Sequence, residues 1–402
     1  MSFSHSYESG SDTDFEDEAG VGLIYLGKIQ PHRRSMFTFR FQSRARRCLQ
    51  AIKRNPKVVK RIFISFWVLV AIITTAVGIW YSLVFALTRR LSPPAQSQNG
   101  VGEVIYQWAE PGSASTASTS PAWLPDFTKD ITPIPCHSHN DYWRTTPLYD
   151  ALLAGCTSVE ADVWLEDNEL YVGHSHRSLR KSRTFKSLYV DPILSILENQ
   201  NLKPEITTAD ERIQGVFDTS PNTTLILLVD FKTDGHDLFP VVEAQLETLR
   251  QRGYLTRFNG THLIPSAITV VGTGNTQFTD ITSSTNRTIF FDAPLEKLSV
   301  SPEYTPENSY YASVSMTKAV GHLWFNKFSA EQKEMIKAQI DEATKRGLVS
   351  RYWSAPAWPV GWKIRVWEFL TENGVGMLNV DELQEASRWS WRGCVVMGIG
   401  LC

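Results

Sequence analysis

The sequence predicts an α/β chain: a (β/α)8 barrel preceded by one transmembrane helix. Three observations predict it. After Asp126, short β-rich runs alternate with helical patterns, which implies parallel strand pairing. The candidate strands number near eight within about 275 residues, close to the ~250 of a usual (β/α)8 barrel. Ahead of them, Ile62 to Leu87 carries no charge and exceeds the ~20 residues that a bilayer core requires.

From the N-terminus, Met1 to Gly20 is rich in Ser, Asp and Glu and poor in large apolar groups, so it cannot bury enough surface to fold alone. From Lys28 to Arg61 the charge reverses, with twelve Lys and Arg and no acidic residue. This basic flank precedes the apolar run, so the positive-inside rule makes the N-terminus cytoplasmic. The run starts too late and is too long for a cleaved signal peptide. The basic flank also suits a grip on anionic lipid, and Cys48 within it is either a palmitoylation site or a plain thiol. Everything beyond Arg90 is then lumenal or extracellular, in a type II arrangement. Three sequons agree, at Asn222, Asn259 and Asn286, all beyond the apolar run. Ser92 to Asp126 has the Ser, Pro, Gly, Ala and Thr of a linker. The expected division is a disordered, basic cytoplasmic tail over 1–61, a transmembrane helix over 62–87, a flexible linker over 88–126 and a barrel over 127–402.

Within the barrel the expected strands are Ile131–Cys136, Ser158–Trp164, Thr224–Lys232, Ala267–Gly272, Thr288–Asp292, Tyr310–Met316, Val349–Ser354 and Gly376–Val380. The expected helices are Pro147–Ala154, Tyr189–Asn201, His236–Arg252, Ala330–Arg346 and Trp362–Asn373. A doubly wound open sheet would usually carry a Gly-rich phosphate loop after its first strand. Here that strand runs into Cys136-His137-Ser138-His139-Asn140-Asp141 instead.

The C-terminal ends of barrel strands build active sites. The first strand ends at His137-Ser-His139-Asn140-Asp141. The second carries Glu160-Ala-Asp162, and a hairpin after it delivers His174. The third ends Asp230-Phe-Lys232. Residues two apart on a strand share a face, so Glu160 and Asp162 point one way, as do Asp230 and Lys232. Three converging carboxylates call for a hard divalent cation, Mg²⁺ or another such as Ca²⁺. Two histidines beside it suit general acid and base roles, and a lysine suits an anionic transition state. The inventory fits phosphodiester cleavage. Taken singly, each of these groups also has a purely structural use; His139 stays open, and His176 reads as loop. Net charge is −2, so no nucleic-acid partner is expected. The residues name no protein partner.

The run His137-x-x-Asn140-Asp141, Glu160-x-Asp162, His174 and Asp230-x-Lys232-Thr233 resembles the glycerophosphodiesterase and sphingomyelinase D branch of the phospholipase C-like phosphodiesterases. Those are TIM barrels with two histidines and one Mg²⁺ held by acidic residues. The resemblance implies His137 and His174 as the acid/base pair and Glu160, Asp162 and Asp230 as metal ligands. It also implies Lys232 as a phosphate contact, and Asn140 and Trp353 as substrate-binding residues. Arg351-Tyr-Trp353-Ser-Ala-Pro356 and Gly374-Val-Gly-Met-Leu-Asn379-Val-Asp381 look like the last two strand ends of that fold. The apolar span, Cys136-His-Ser-His-Asn-Asp-Tyr142 and Val159-Glu-Ala-Asp-Val-Trp164 are similar to the fungal family called altered inheritance of mitochondria protein 6. Two departures bear on substrate. Ser138 and His139 stand where glycerophosphodiesterases have Arg-Gly. No Cys follows His174 until Cys394, where sphingomyelinases D place a disulfide.

The expected function is hydrolysis of a phospholipid or glycerophosphodiester-type substrate by a membrane-anchored enzyme. One alternative is a non-catalytic barrel that binds lipid headgroups. Another is a metal amidohydrolase, suggested by His137-x-His139. That chemistry needs histidines on later strands, which instead end in Phe290-Phe-Asp292-Ala-Pro294 and Ser313-Val-Ser-Met-Thr317. The pairing of Cys136, Cys156, Cys394 and Cys402 is left open, free thiols included.

Overall fold

In a computed structural model of the chain, the residues described are 56–91, 99–112, 127–202, 213–321, 327–389, 391, 395–396 and 399–400. The acidic tail, most of the basic run, Cys48, Cys394 and Cys402 lie outside them.

Helix α1 runs Pro56–Leu91, 36 residues. At 1.5 Å per residue that is about 54 Å. It contains the apolar run and continues into Lys57, Lys60 and Arg61 at one end and Arg89 and Arg90 at the other. Its apolar side chains, Phe63, Trp67 and Ile72 among them, are exposed around the helix. The hydroxyls of Thr74, Thr75 and Thr88 donate back to carbonyls one turn earlier. A helix apolar all round and unburied by protein has the character of a membrane segment. It is long and apolar enough to cross one.

The second unit is a closed barrel. Its strands are β1 (Ile134–Ser138), β2 (Cys156–Glu166), β3 (Glu169–Val172), β4 (Leu225–Phe231), β5 (Arg257–Phe258), β6 (Leu263–Ile264), β7 (Ile268–Gly274), β8 (Ile289–Pro294), β9 (Ser309–Ser315), β10 (Val349–Trp353) and β11 (Met377–Val380). The large sheet has the order β1-β11-β10-β9-β8-β7-β4-β2-β3, and β1 also pairs with β2. Every ladder around the ring is parallel, so eight strands close on themselves. Within this sheet only β3 is antiparallel, hairpinned on β2 through Asp167 and Asn168, both at positive φ. Each expected barrel strand is present, with ends shifted by a few residues. The pair β5–β6 is a separate short hairpin.

Helices return the chain between strands: α3 (Tyr149–Leu153), α4 (Asp191–Gln200), α5 (Gly235–Gln251), α8 (Ala330–Lys345) and α9 (Val360–Glu372) answer the five expected helices. α6 (Phe278–Ser283), α7 (Met316–Val320) and α10 (Leu383–Ser387) are short additions. One expectation needs correction. Part of the 88–126 range is not linker. α2 (Gly100–Tyr106) is capped by Asn99, whose Oδ1 accepts from Gly102 N–H at 2.9 Å. Its Val101 and Val104 are buried in the main core, and Val101 N–H donates to the Phe127 carbonyl at 3.2 Å. Composition alone missed the two valines spaced one turn apart.

Alternation sets the interior. Val159, Ala161 and Val163 of β2 and Leu225, Leu227 and Val229 of β4 join the large core between strands and helices. The opposite side of β4 puts Ile226 and Leu228 into a small second cluster with Val271, Tyr311 and Met377. On the same inward side, β2 carries Glu160 in register with Leu228, and one step further along, Asp162 stands in register with Asp230 of β4. The interior thus turns from apolar to ionic toward the strand C-termini. Cys136 and Cys156 form a disulfide across the start of β1 and β2. The open pairing is therefore decided for these two.

Candidate active site

His137 at the end of β1 is fully buried. Its Nδ1 lies 2.7 Å from Ser158 Oγ, which also accepts from the Tyr311 hydroxyl at 2.8 Å. Its Nε2 has no hydrogen-bond partner among the described residues and sits 3.7 Å from Glu160 Oε2. Burial, followed by the Arg351 charge, pulls this imidazole down to about 4 from 6.5. Burial works to raise Glu160. It is outweighed by His137, His139 and Arg351, which hold Glu160 below the usual carboxylate range. Glu160 Oε2 also accepts from the Asn140 backbone N–H at 2.8 Å. Asn140 makes this contact from the left-handed region, at φ 49°. Asn tolerates that region better than most residues.

Asp162 and Asp230 are direct neighbours in the β2–β4 register. Like charges so placed repel. Lys232 answers them, with Nζ 3.0 Å from Asp162 Oδ2 and 2.7 Å from Asp230 Oδ2. Burial still pushes Asp162 up to about 7, with Glu160 and Asp230 adding to the rise and Lys232 opposing it. Asp230 is also raised, chiefly by burial. Gly274, at φ 66°, closes the end of β7, and a Cβ there would overlap Asp230 Oδ1. Glycine at this point lets the β7 backbone approach the carboxylate.

His174 follows β3. It is half exposed, with Nδ1 3.8 Å from Asp162 Oδ2. Its ring lies 4.8 Å from that of Trp143. The structure thus brings His137, Asn140, Glu160, Asp162, His174, Asp230 and Lys232 together at one pole. Trp353 ends β10 at the same pole and is 40% exposed. His176 pairs with Glu166 at 3.1 Å, away from the cluster, which agrees with its reading as loop.

Several groups at the site had no assigned role from sequence. The Tyr142 hydroxyl lies 2.6 Å from Asn140 Oδ1, 2.7 Å from Asp162 Oδ2 and 3.2 Å from His174 Nδ1. Buried Arg351 donates to Ser313 Oγ at 3.0 Å and Asn379 Oδ1 at 2.8 Å, and approaches Asp292 at 3.5 Å. His139, left open by the sequence, stands at the rim. Its Nδ1 is 2.7 Å from Asp381 Oδ1 and its Nε2 is 3.8 Å from Glu160. Polar residues at the ends of β8, β10 and β11 signal Asp292, Arg351, Asn379 and Asp381. Nothing local signals Tyr142, which reaches the site from a one-turn helix over Asp141–Trp143.

Carboxylate oxygens from Glu160, Asp162 and Asp230 lie within 4.8 Å of one another. Three oxygen donors of like charge, two buried and one partly buried, with Asp162 and Asp230 raised in pKa, suit a hard divalent cation. Around them the groups supply two imidazoles, a lysine and a buried arginine, a set whose chemistry suits a phosphate ester. Larger cavities of about 430 Å³ lie at the opposite pole, against Asn222, Arg250 and Arg257, and touch none of these groups.

Comparison with known proteins gives concordant results. The family described as AIM6-like phosphodiesterase domain matches residues 125–292. An altered inheritance of mitochondria protein 6 homolog of Arthroderma benhamiae is 40% identical over 271 residues, covering 65% of this chain and 85% of that protein. Altered inheritance of mitochondria protein 6 of Lachancea thermotolerans is 34% identical over 320 residues, covering 71% and 73%. A glycerophosphoryl diester phosphodiesterase crystal structure from Parabacteroides distasonis aligns with 73% of this chain and 91% of its own. At 12% identity and a TM-score of 0.34, it is too distant to argue from.

Proposed function

Because the chain belongs to the altered inheritance of mitochondria protein 6 family and carries its phosphodiesterase domain, we propose that it is a membrane-anchored, metal-dependent phosphoric diester hydrolase. Its substrate is a phospholipid or a glycerophosphodiester. One observation carries the reading: two imidazoles, His137 and His174, flank a cluster of three carboxylates at 3.7 and 3.8 Å, on different members of the cluster.

Glu160, Asp162 and Asp230 would hold the cation, Mg²⁺ or another hard divalent ion such as Ca²⁺. Bound there, it supplies positive charge to the phosphate and to the negative charge that develops on it. The chain's own residues do the rest. One imidazole takes the proton of the attacking hydroxyl or water. The other gives a proton to the leaving oxygen as the P–O ester bond breaks. The low proton affinity of His137 keeps it neutral near pH 7, as a proton acceptor must be. Lys232 contacts the phosphate, and Tyr142 holds Asn140 and Asp162 in place. Asn140 and Trp353 line the substrate site.

α1 is the anchor, with the N-terminus cytoplasmic and the barrel lumenal or extracellular. Two features support this side. The Cys136–Cys156 disulfide suits an oxidising compartment. The sequon residues Asn222, Asn259 and Asn286 are all exposed, as glycan acceptors must be. A second reading, headgroup binding without turnover, draws on Lys232, whose ammonium already answers two of the carboxylates.

The test uses the full chain in detergent micelles with bis(4-nitrophenyl) phosphate. Mg²⁺ should stimulate cleavage and EDTA abolish it. His137→Ala should cost about 10²–10⁴ in turnover with an unchanged circular dichroism spectrum. Turnover indifferent to both EDTA and His137→Ala would refute the hydrolase reading.

A further inference from the structure

We propose that the pole of the barrel bearing the carboxylate cluster is a docking face for an anionic lipid bilayer. This deepens the phosphodiesterase reading: it rests on it for the substrate, which becomes a lipid met in the membrane surface. The docking itself stands on other observations.

The first is charge. From His174 to Val190 the chain carries Arg177, Arg180, Lys181, Arg183 and Lys186, with no Asp or Glu. Arg183 is engaged internally, 3.2 Å from Glu110 and donating to the Tyr142 carbonyl. The other four are exposed. Arg180 reaches Glu110 only at 3.8 Å, with Glu110 nearer to Arg183. Arg177, Lys181 and Lys186 form no ion pair with any described residue. Of the acidic residues of the β2–β3 hairpin, Glu166 pairs with His176, next to Arg177, at 3.1 Å, and none pairs with Arg177, Lys181 or Lys186. Glu169 is engaged elsewhere, accepting from Gln245 on α5 at 2.8 Å. Such a cluster suits an anionic lipid surface, where each cation adds to binding.

The second is aromatic. Among the described barrel residues the exposed tryptophans are Trp143, Trp353 and Trp358, at 62%, 40% and 78%. Trp143 follows β1, and the other two end or follow β10, so all three stand at the strand C-terminal pole. Tryptophan beside Lys and Arg is the composition of a membrane interface. The other exposed apolar residues described outside α1 are Tyr106 on α2, Leu202 after α4, Leu263 on β6, Val300 after β8 and Met335 on α8, and none of them is a tryptophan.

The third is reach. Residues 92–98 alone separate α1 from Asn99, which caps a helix packed on the barrel. Fully extended, that connection spans about 30 Å at most. With α1 as the proposed anchor, a connection of this length limits how far the barrel can stand from the bilayer.

The experiment is hydrogen–deuterium exchange by mass spectrometry on the full chain in nanodiscs, reading peptides 141–144, 174–186 and 354–360. Neutral phosphatidylcholine discs are compared with discs containing phosphatidylserine, and with neutral discs plus added phosphatidylserine vesicles. Exchange in these peptides should slow at least about tenfold in one anionic arm. Which arm responds tells whether the docked bilayer is the protein's own or an apposed one. α8 should be unaffected. The slowing should be lost in R177E/R180E/K181E and weakened in Trp358→Ser. No slowing in either arm, equal slowing in the charge-reversed protein, or equal slowing by heparin without a bilayer overturns the proposal. Exchange needs no turnover, so an inactive enzyme would sink the phosphodiesterase reading and leave the docking result standing.

Discussion

Removing the Cys136–Cys156 bridge gives the clearest magnitude. The bridge closes a loop with a sequence separation of 20 and joins the strands that carry His137 and Glu160. Chain-entropy reasoning puts the stabilisation from closing such a loop at about 3 kcal/mol. Both side chains are fully buried, so Cys136→Ala/Cys156→Ala also loses some packing. Each kcal/mol moves the midpoint of a domain this size by roughly 2–4 °C, so the double variant should melt about 6–12 °C lower. The measurement is a near-ultraviolet circular dichroism melt of the full chain in detergent, with and without reductant. Reductant should lower the wild-type midpoint and leave the variant's unchanged. A variant that melts with the wild type would refute the reasoning. So would alkylation of Cys136 in non-reduced, denatured wild type, because the bridge would then not exist. Turnover should fall with stability, because the gap between His137 and Glu160 spans the two strands that the bridge holds.

Three further outcomes follow from the same geometry. His137 has a folded pKa depressed from 6.5 to about 4, so the stability tied to its neutral form is complete above pH 6.5 and is lost as pH falls toward 4. Linkage makes the loss up to about 3 kcal/mol. Denaturant unfolding at pH 7 and 4.5 should show it in wild type and not in His137→Gln, and equal pH slopes would count against it. Arg351→Met leaves buried Asp292 without its cation and should cost about 3–5 kcal/mol. Adding Asp292→Asn should recover part of that in denaturant titrations, and strict additivity would contradict the pairing. Asp162→Asn removes one charged oxygen donor and should raise the Mg²⁺ concentration for half-maximal activity by about tenfold or more. An unchanged metal requirement would remove Asp162 from the ligand set.

The sequence by itself determined the elements and the side from which the chemistry comes. Strand and helix patterns have periods of two and 3.6 residues, so they are written locally, and all eight barrel strands were legible. The same period put Glu160 beside Asp162, and Asp230 beside Lys232, before any fold was known. The apolar run of α1 was as plain, because a bilayer asks only for length and the absence of charge. Composition misled at α2, where Val101 and Val104 matter and the surrounding Ser, Pro and Gly do not.

Only the tertiary structure decided which distant groups meet. His139 and Asp381 touch across 242 positions of sequence, and Tyr311 and Ser158 across 153. Closure of the ring sets these pairs, and no local period encodes closure. The same holds for Cys136, whose partner among four cysteines depended on β1 lying beside β2. Tyr142 joined the site because a one-turn helix after β1 aims its hydroxyl inward at Asp162. Local pattern fixes what a residue faces along its own element. Contact across elements is fixed by packing, and that is where the proton-handling groups acquired their neighbours.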